Sequence, residues 1–315
     1  MKKFKYVCVD SQKIPFKYFS AETERYDQEG IEYVLGKCTT QQEALELAAD
    51  ADAIGMINIR FDRELMSQFK NCKVIVRYGI GVDSIDLQAA SDLGIKVCNL
   101  PSYCIEEVAT HGIAMLLDIV RKTTLHDRRF RTGLWEGGYG YYCRRLSKLT
   151  VGLVGFGNIA RCAANMLKPM FGEVIAYDPY VPDQVFADMG IRRVTLDELL
   201  PQSDVVTLHV PLTPDTQHLI RTETIAKMKD GAFLVNVSRG EIVSIDDLIV
   251  ALKSGKLTAA GLDVVEGEPI RDAAHPMFQL ENLVATPHTA YGSLESMINQ
   301  HEEVADTVIR ILNGE

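Results

Sequence analysis

Two rhythms of apolar and polar residues take turns along the chain. Short apolar runs, "KYVCVD", "EYVLG", "ADAIGMIN", "KVIVRYG" and "IKVCNL", predict strands in the first third. Between them, "QQEALELAAD", "FDRELMSQFK" and "IDLQAASDLG" carry apolar residues at helical spacing. A second series begins near the middle, where "TVGLVGFG", "EVIAYD", "RRVTL", "DVVTLHV", "AFLVNVS", "TAAGLDVV" and "NLVATPH" predict strands with helical segments between. Strands that alternate with helices form mostly parallel sheets covered on both faces. The pattern therefore predicts an α/β protein built from two doubly wound parallel sheets.

Three further stretches stand outside this alternation. "CIEEVATHGIAMLLDIVRK" at 104–122 is apolar around much of its circumference, which predicts a helix buried between layers. "RTGLWEGGYGYYCRRL" is rich in Gly and aromatics and predicts a surface excursion or linker. "SLESMINQHEEVADTVIRILNGE" predicts an amphipathic terminal helix that stops at Asn313-Gly314.

Composition acts mainly by exclusion. A length of 315 residues suggests about two domains. With 47% hydrophobic and 24% charged residues, the chain has ordinary globular proportions. A net charge of −10 argues against nucleic acid and anionic membranes as partners. No apolar run reaches the length of a membrane span, and "MKKFKYVCVDSQ" lacks the apolar stretch of a signal peptide. The seven cysteines show no C-x-x-C or zinc spacing, which points to small buried thiols in a reducing cytoplasm and to no metal site.

The candidate chemistry begins at "LVGFGNIA". A short β-run precedes Gly155 and a helical segment follows, the context that gives a glycine fingerprint its meaning. Gly155 suits a tight turn and Gly157 a close approach of backbone to pyrophosphate, while Ala160 stands where a third glycine is common. The amides of Asn158 and Ile159 then open the helix toward phosphate. Asp178 closes the next predicted strand, where a carboxylate accepts from a ribose 2′-hydroxyl and repels a 2′-phosphate. No Arg follows it closely in the chain, so NAD is expected over NADP.

Three later strand ends finish on charged or titratable residues: Arg239 in "FLVNVSRGE", Asp263, Glu266 and Glu268 in "GLDVVEGEP", and His288 in "LVATPHTA". Ligands in parallel sheets bind beyond the carboxyl ends of the strands, so these residues can converge. A guanidinium suits a substrate carboxylate, and an imidazole beside a carboxylate suits proton transfer to a carbonyl oxygen. Each residue also has an ordinary alternative. Arg239 can pair with Asp246 or Asp247, Glu268 can be an exposed turn residue, and His288 a loop histidine.

Taken together, "GLVGFGNIA", "YDPY", "SDVVTLHVPLTPDTQHLI", "MKDGAFLVNVSRGEIV", "ALKSGKLTAAGLDVVEGEP", "NLVATPHTA" and "VRYGIGVDSIDLQAASDLGIKVCNLPSYCIEEVATHGIAMLL" resemble the D-isomer-specific 2-hydroxyacid dehydrogenases. The likeness is greatest to their phosphoglycerate dehydrogenase and C-terminal-binding-protein branch. It implies a flavodoxin-like substrate-binding domain from 1–100 plus 291–315, with an inserted NAD-binding Rossmann domain at 101–290 and a cleft closed by hinge motion. It implies that Arg239, Glu268 and His288 are catalytic, and that NAD is held by Gly155, Gly157, Asn158, Ile159, Asp178, His209, Val210, Pro211, Thr216, Val237, Ser238, Arg239, Asp263, His288 and Ala290. It implies substrate contacts from Arg77, Tyr78, Gly79, Ile80 and Gly81, besides Arg239 and His288. It further implies a small 2-oxo or 2-hydroxy acid as substrate and a homodimer joined through the NAD-binding domain. Ser84, Ser244 and Tyr291 depart from residues frequent in the family, and Tyr291 leaves the substrate side chain open. Two alternatives remain: oxidation of D-3-phosphoglycerate, and an NAD(H)-sensing, corepressor-like interaction protein.

Overall fold

The computed structural model describes residues 3–135 and 142–314. It divides into two compact units, Met1–Cys104 with Gly292–Glu315, and Ile105–Tyr291. Residues 136–141 of the expected linker lie outside the described residues.

In the first unit the apolar runs are β1 (Phe4–Cys8), β2 (Ile31–Leu35), β3 (Ala53–Met56), β4 (Val74–Arg77) and β5 (Lys96–Cys98). They pair in the order β2-β1-β3-β4-β5, every pair parallel. The connecting helices are α1 (Ser20–Gln28), α2 (Gln41–Ala48), α3 (Arg63–Met66) and α4 (Leu87–Asp92). Every residue of β3 is buried, as expected of a strand covered on both faces. Polar residues mark where the helices begin. Thr40 and Glu43 form a reciprocal capping box on α2, and Asp62 and Asp86 accept first-turn amides of α3 and α4.

The second unit opens with α5 (Ile105–Arg121) and α6 (Thr123–Arg131). Its strands are β6 (Thr150–Val154), β7 (Glu173–Tyr177), β8 (Arg192–Arg193), β9 (Val205–Leu208), β10 (Ala232–Asn236), β11 (Leu257–Leu262) and β12 (Leu283–Ala285). Between them run α7 (Asn158–Leu167), α8 (Asp183–Asp188), α9 (Leu196–Gln202), α10 (Thr222–Lys227) and α11 (Ile245–Ser254). The sheet order is β12-β11-β10-β9-β6-β7-β8 and all pairs are parallel. From β6 the strands step outward in one direction as far as β8. From β9 they step in the other. The β6–β9 junction is therefore the switch point, the place where sheets of this kind seat a ligand beyond the strands' carboxyl ends. The apolar face of α5 (including Val108, Ile113, Leu116 and Ile119) is buried on this sheet.

The chain then returns to the first unit as α12 (Leu294–Leu312), capped by Ser293 and followed by Gly314 at φ +94°. It packs against α1, a helix that the apolar pattern does not reveal. The reason is chemical: the buried side chains of α1 are Glu22 and Tyr26. His301 of α12 hydrogen-bonds Glu22, both fully buried, and the Tyr78 hydroxyl donates to the same carboxylate at 2.8 Å. Tyr6 adds its hydroxyl to that of Tyr78, also at 2.8 Å. Burial pushes the Glu22 carboxyl up, and the bond to His301 pulls it partly back.

Removing His301 leaves the buried Glu22 carboxyl without its imidazole partner, with the Tyr78 hydroxyl still donating to it. His301→Ala should therefore destabilise the protein by about 3–5 kcal/mol in urea unfolding. Glu22→Leu combined with His301→Leu should recover part of that loss, since it removes both polar groups together.

Candidate active site

The glycine turn lies at the switch point. Gly155 has φ +92°, donates its N–H to the Tyr177 carbonyl at 2.8 Å, and would place a Cβ 2.6 Å from the carbonyl oxygen of His209. Only glycine fits such a position without strain. Gly157 differs, because a Cβ there would meet nothing within 4 Å. The chain's own packing does not require glycine at Gly157; open space lies beside it. Gly157 caps α7 with no side chain bonded to the first-turn amides, so Asn158 and Ile159 begin a helix whose N–H groups point outward. These features fit the phosphates of a dinucleotide.

Asp178 closes the same corner. One carboxylate oxygen accepts the Phe156 N–H at 2.9 Å, and the other accepts those of Tyr180 and Val181 at 2.8 and 3.2 Å. No Arg follows Asp178 closely in the chain, yet the fold brings one to it from farther along. Arg193, brought alongside by β8, donates to the Asp178 carbonyl at 2.8 Å. Parallel pairing carries it there from the next strand, a proximity that chain order does not express.

Across the switch point, His209 follows β9 and receives the hydroxyl of Thr207 as a neighbour at 3.1 Å. Desolvation holds its imidazole down at about 4, so the ring is neutral near pH 7. Its Nδ1 is buried and without a hydrogen-bond partner among the described residues. Val210 and Pro211 continue the wall, and Thr216 donates to the Pro211 carbonyl at 2.7 Å. Ser238 ties the end of β10 to β9 through the Leu208 carbonyl at 2.7 Å, while Val237 is buried beside Gly112 of α5.

Two turns bring Arg239 and Glu268 together. Buried Asn236 donates to the Arg239 carbonyl at 2.8 Å and accepts the Ser238 N–H at 3.0 Å, which shapes the arginine turn. A Cβ on Gly240 would stand 2.2 Å from the Val265 carbonyl carbon, so this turn packs directly on the loop that carries Glu268. Burial acts to raise the Glu268 carboxyl. The hydrogen bond from His288, the Val265 N–H and the charges of His288 and Arg239 outweigh it and hold the carboxyl below its ordinary value. Asp247, one of the alternative partners for Arg239, instead accepts the Thr222 N–H at 2.9 Å.

His288 sits at φ +54°, a left-handed conformation uncommon for a side chain of this kind. Asp263 maintains it. That carboxylate is 1% exposed and accepts the N–H groups of Thr289 and Ala290 at 2.9 and 3.0 Å as well as the Thr286 hydroxyl. The Asp263 carbonyl accepts the His288 N–H at 2.8 Å. His111 of α5 adds a bond to Thr286 at 2.9 Å and lies 3.4 Å from Asp263. Sequence reading missed His111, Thr286 and Asn236, because nothing in a helical pattern or a strand end distinguishes such supports. The Nδ1 of His288 bonds Glu268, which leaves Nε2 as the nitrogen available for proton transfer.

Tyr78, Gly79, Ile80 and Gly81 form the turn after β4 in the first unit. There the Arg77 guanidinium folds back to donate to the Tyr78 carbonyl at 2.9 Å, lying close over Gly79 at φ +151°. Asn99 holds the Ile80 carbonyl at 2.6 Å.

A family model described as D-isomer specific 2-hydroxyacid dehydrogenase, NAD binding domain, matches residues 113–290. The chain is 36% identical over 286 residues to a D-3-phosphoglycerate dehydrogenase of Archaeoglobus fulgidus, covering 90% of this chain and 54% of that protein. It thus spans about half the length of that relative. It is 34% identical over 301 residues to a hydroxypyruvate reductase of Blautia hydrogenotrophica, covering 91% of this chain and 92% of the other. A crystal structure of D-lactate dehydrogenase from Aquifex aeolicus, complexed with NAD and lactic acid, matches with a TM-score of 0.84 at 29% identity, over 98% and 95% of the two chains.

The two glycines should separate experimentally. Gly157→Ala should keep stability within about 0.5 kcal/mol yet weaken NADH at least tenfold in a fluorescence titration. Gly155→Ala should lose roughly 1–3 kcal/mol of stability in urea unfolding. Parental NADH affinity in Gly157→Ala would show that the open face is not a pyrophosphate seat.

Proposed function

The chain belongs to the D-isomer specific 2-hydroxyacid dehydrogenase family, and we propose that it is an NAD-dependent enzyme interconverting a small 2-oxo acid and the corresponding D-2-hydroxy acid. The observation that carries this reading is the His288–Glu268 pair, held beside Arg239 on loops at the carboxyl ends of one parallel sheet. Arg239 binds the substrate carboxylate through its fork of N–H groups and aligns the carbonyl. The Gly155–Gly157 turn and the first amides of α7 would hold the dinucleotide, which when bound in reduced form would supply the hydride for the carbonyl carbon. His288 delivers the proton to the carbonyl oxygen from Nε2, and Glu268 stabilises the imidazolium and fixes the ring. In the reverse direction neutral His288 takes the hydroxyl proton. Backbone amides of Gly79, Ile80 and Gly81 are proposed to meet the same carboxylate.

NAD is favoured over NADP because the Asp178 carboxylate stands beside the turn, where it opposes a 2′-phosphate. The bound NAD in the Aquifex aeolicus structure supports this choice. Oxidation of D-3-phosphoglycerate is a second reading, supported by the Arg77 guanidinium at the Gly79 turn and by the Archaeoglobus relative. A homodimer through the NAD-binding domain is supported by an exposed aromatic pair: Phe130 and Trp135 lie 5.4 Å apart, ring to ring, and are 56% and 83% exposed.

Purified protein should oxidise NADH when given hydroxypyruvate, glyoxylate or pyruvate. Arg239→Ala should lower kcat/KM at least 100-fold, about the 3 kcal/mol of a charge-assisted bidentate contact, while folding normally. Assay of hydroxypyruvate with NADH and of 3-phosphoglycerate with NAD, side by side, separates the two readings; absence of turnover on a broad 2-oxo-acid panel would overturn the first, and absence of 3-phosphoglycerate oxidation the second.

The pH dependence follows from Glu268. Its carboxyl is held below the ordinary value of 4.5, so the carboxylate persists as pH falls past that point. Reduction should therefore hold its rate down to about pH 4.5 and decline only below it, with the carboxylate's contribution to stability lost over the same acid range. Glu268→Gln should lower kcat by roughly two orders of magnitude and abolish this acid limb. Trp135→Glu with Phe130→Glu should convert a dimer into monomers in sedimentation velocity, whereas an unchanged mass would exclude this face.

A further inference from the structure

Asp178 and Asp183 flank a single cation beside the glycine turn. One arm of Arg193 donates to the Asp178 carbonyl at 2.8 Å, and the other pairs with Asp183. Its guanidinium carbon lies 5.3 Å from the centre of the Phe186 ring, which stacks on Phe156 of the turn at 4.4 Å. The cation is thus held in place by a carbonyl, a carboxylate and a ring. Asp183 itself is 85% exposed, and Arg193 is 34% exposed.

We infer that Arg193 is a second determinant of dinucleotide choice in this protein, and that Asp183 restrains it from serving a ribose 2′-phosphate. The inference rests on the dinucleotide reading of the Gly155 turn. Asp178 alone opposes a 2′-phosphate by charge, and its two oxygens are already committed to the Phe156, Tyr180 and Val181 amides. Arg193 is permanently charged and presents the planar donor fork that suits phosphate. In the resting arrangement Asp183 takes one arm of that fork and the Asp178 carbonyl the other. The pair is solvent-exposed, hence weakly held and able to open toward a stronger anion. Counting Asp178, Asp183 and Arg193, the corner carries one net negative charge. Loss of Arg193 makes it doubly negative; loss of the Asp183 charge makes it neutral. Discrimination against a 2′-phosphate should follow this order.

The experiment compares the parent, Arg193→Ala, Arg193→Gln and Asp183→Asn by fluorescence titration with NADH and NADPH. Calorimetry with adenosine 2′,5′-bisphosphate against 5′-AMP isolates the phosphate contribution without turnover. For Asp183→Asn the ratio of the two affinities should move about five- to tenfold toward the 2′-phosphate ligand, and for both Arg193 variants a similar factor away from it. These shifts should shrink in 1 M salt. Parental ratios in every variant, or a shift in the same direction on losing either charge, would overturn the inference while leaving the dinucleotide site intact. Failure of the parent to bind NADH at all would overturn the site reading, and this inference with it.

Discussion

The candidate active corner depends on one buried carboxylate. Asp263 follows β11 with almost no exposure and accepts hydrogen bonds from the backbone of Thr289 and Ala290 and from the Thr286 hydroxyl. A polar group buried in that position is tolerable only because amides and a hydroxyl replace its water. Those bonds hold the segment in which His288 adopts φ +54°. A residue in such a conformation persists only where its surroundings over-determine it. His111 reinforces the arrangement from α5, so the helix packed on this sheet also supports the site.

Two His–Glu pairs show how burial changes the role of the same chemical groups. His288 and Glu268 keep 43% and 35% of their side-chain surface, and their carboxyl stays low enough to remain ionised. His301 and Glu22 keep none, and burial raises that carboxyl. The first pair has solvent nearby and suits proton exchange. The second joins α1 to α12 and gives the tail of the chain a fixed position in the first unit. His209 is a third case: a single ring, desolvated and neutral, with one nitrogen left open at the switch point.

Most of the secondary structure was legible because each buried parallel strand is a short apolar run. The exceptions have physical causes. α1 buries Glu22 and Tyr26, and α6 buries nothing, so neither displays an apolar stripe. At the cofactor corner the glycine spacing was legible, but Arg193 was not. It lies fifteen residues beyond Asp178 in the chain and meets its carbonyl only through the pairing of β7 with β8. The supporting residues Asn236, Thr286 and His111 were equally hidden, since their function lies in which amide or oxygen they reach.

The sequence by itself determined the alternation of strands and helices, the family, and the residue types available at the strand ends. Those properties follow from local periodicity and from short motifs whose parts are close in the chain. Tertiary structure decided which charges share a corner, which histidine is solvated, and which carboxylate is a buried support. Desolvation and hydrogen bonding depend on neighbours brought in from distant segments, and no single stretch of chain contains them.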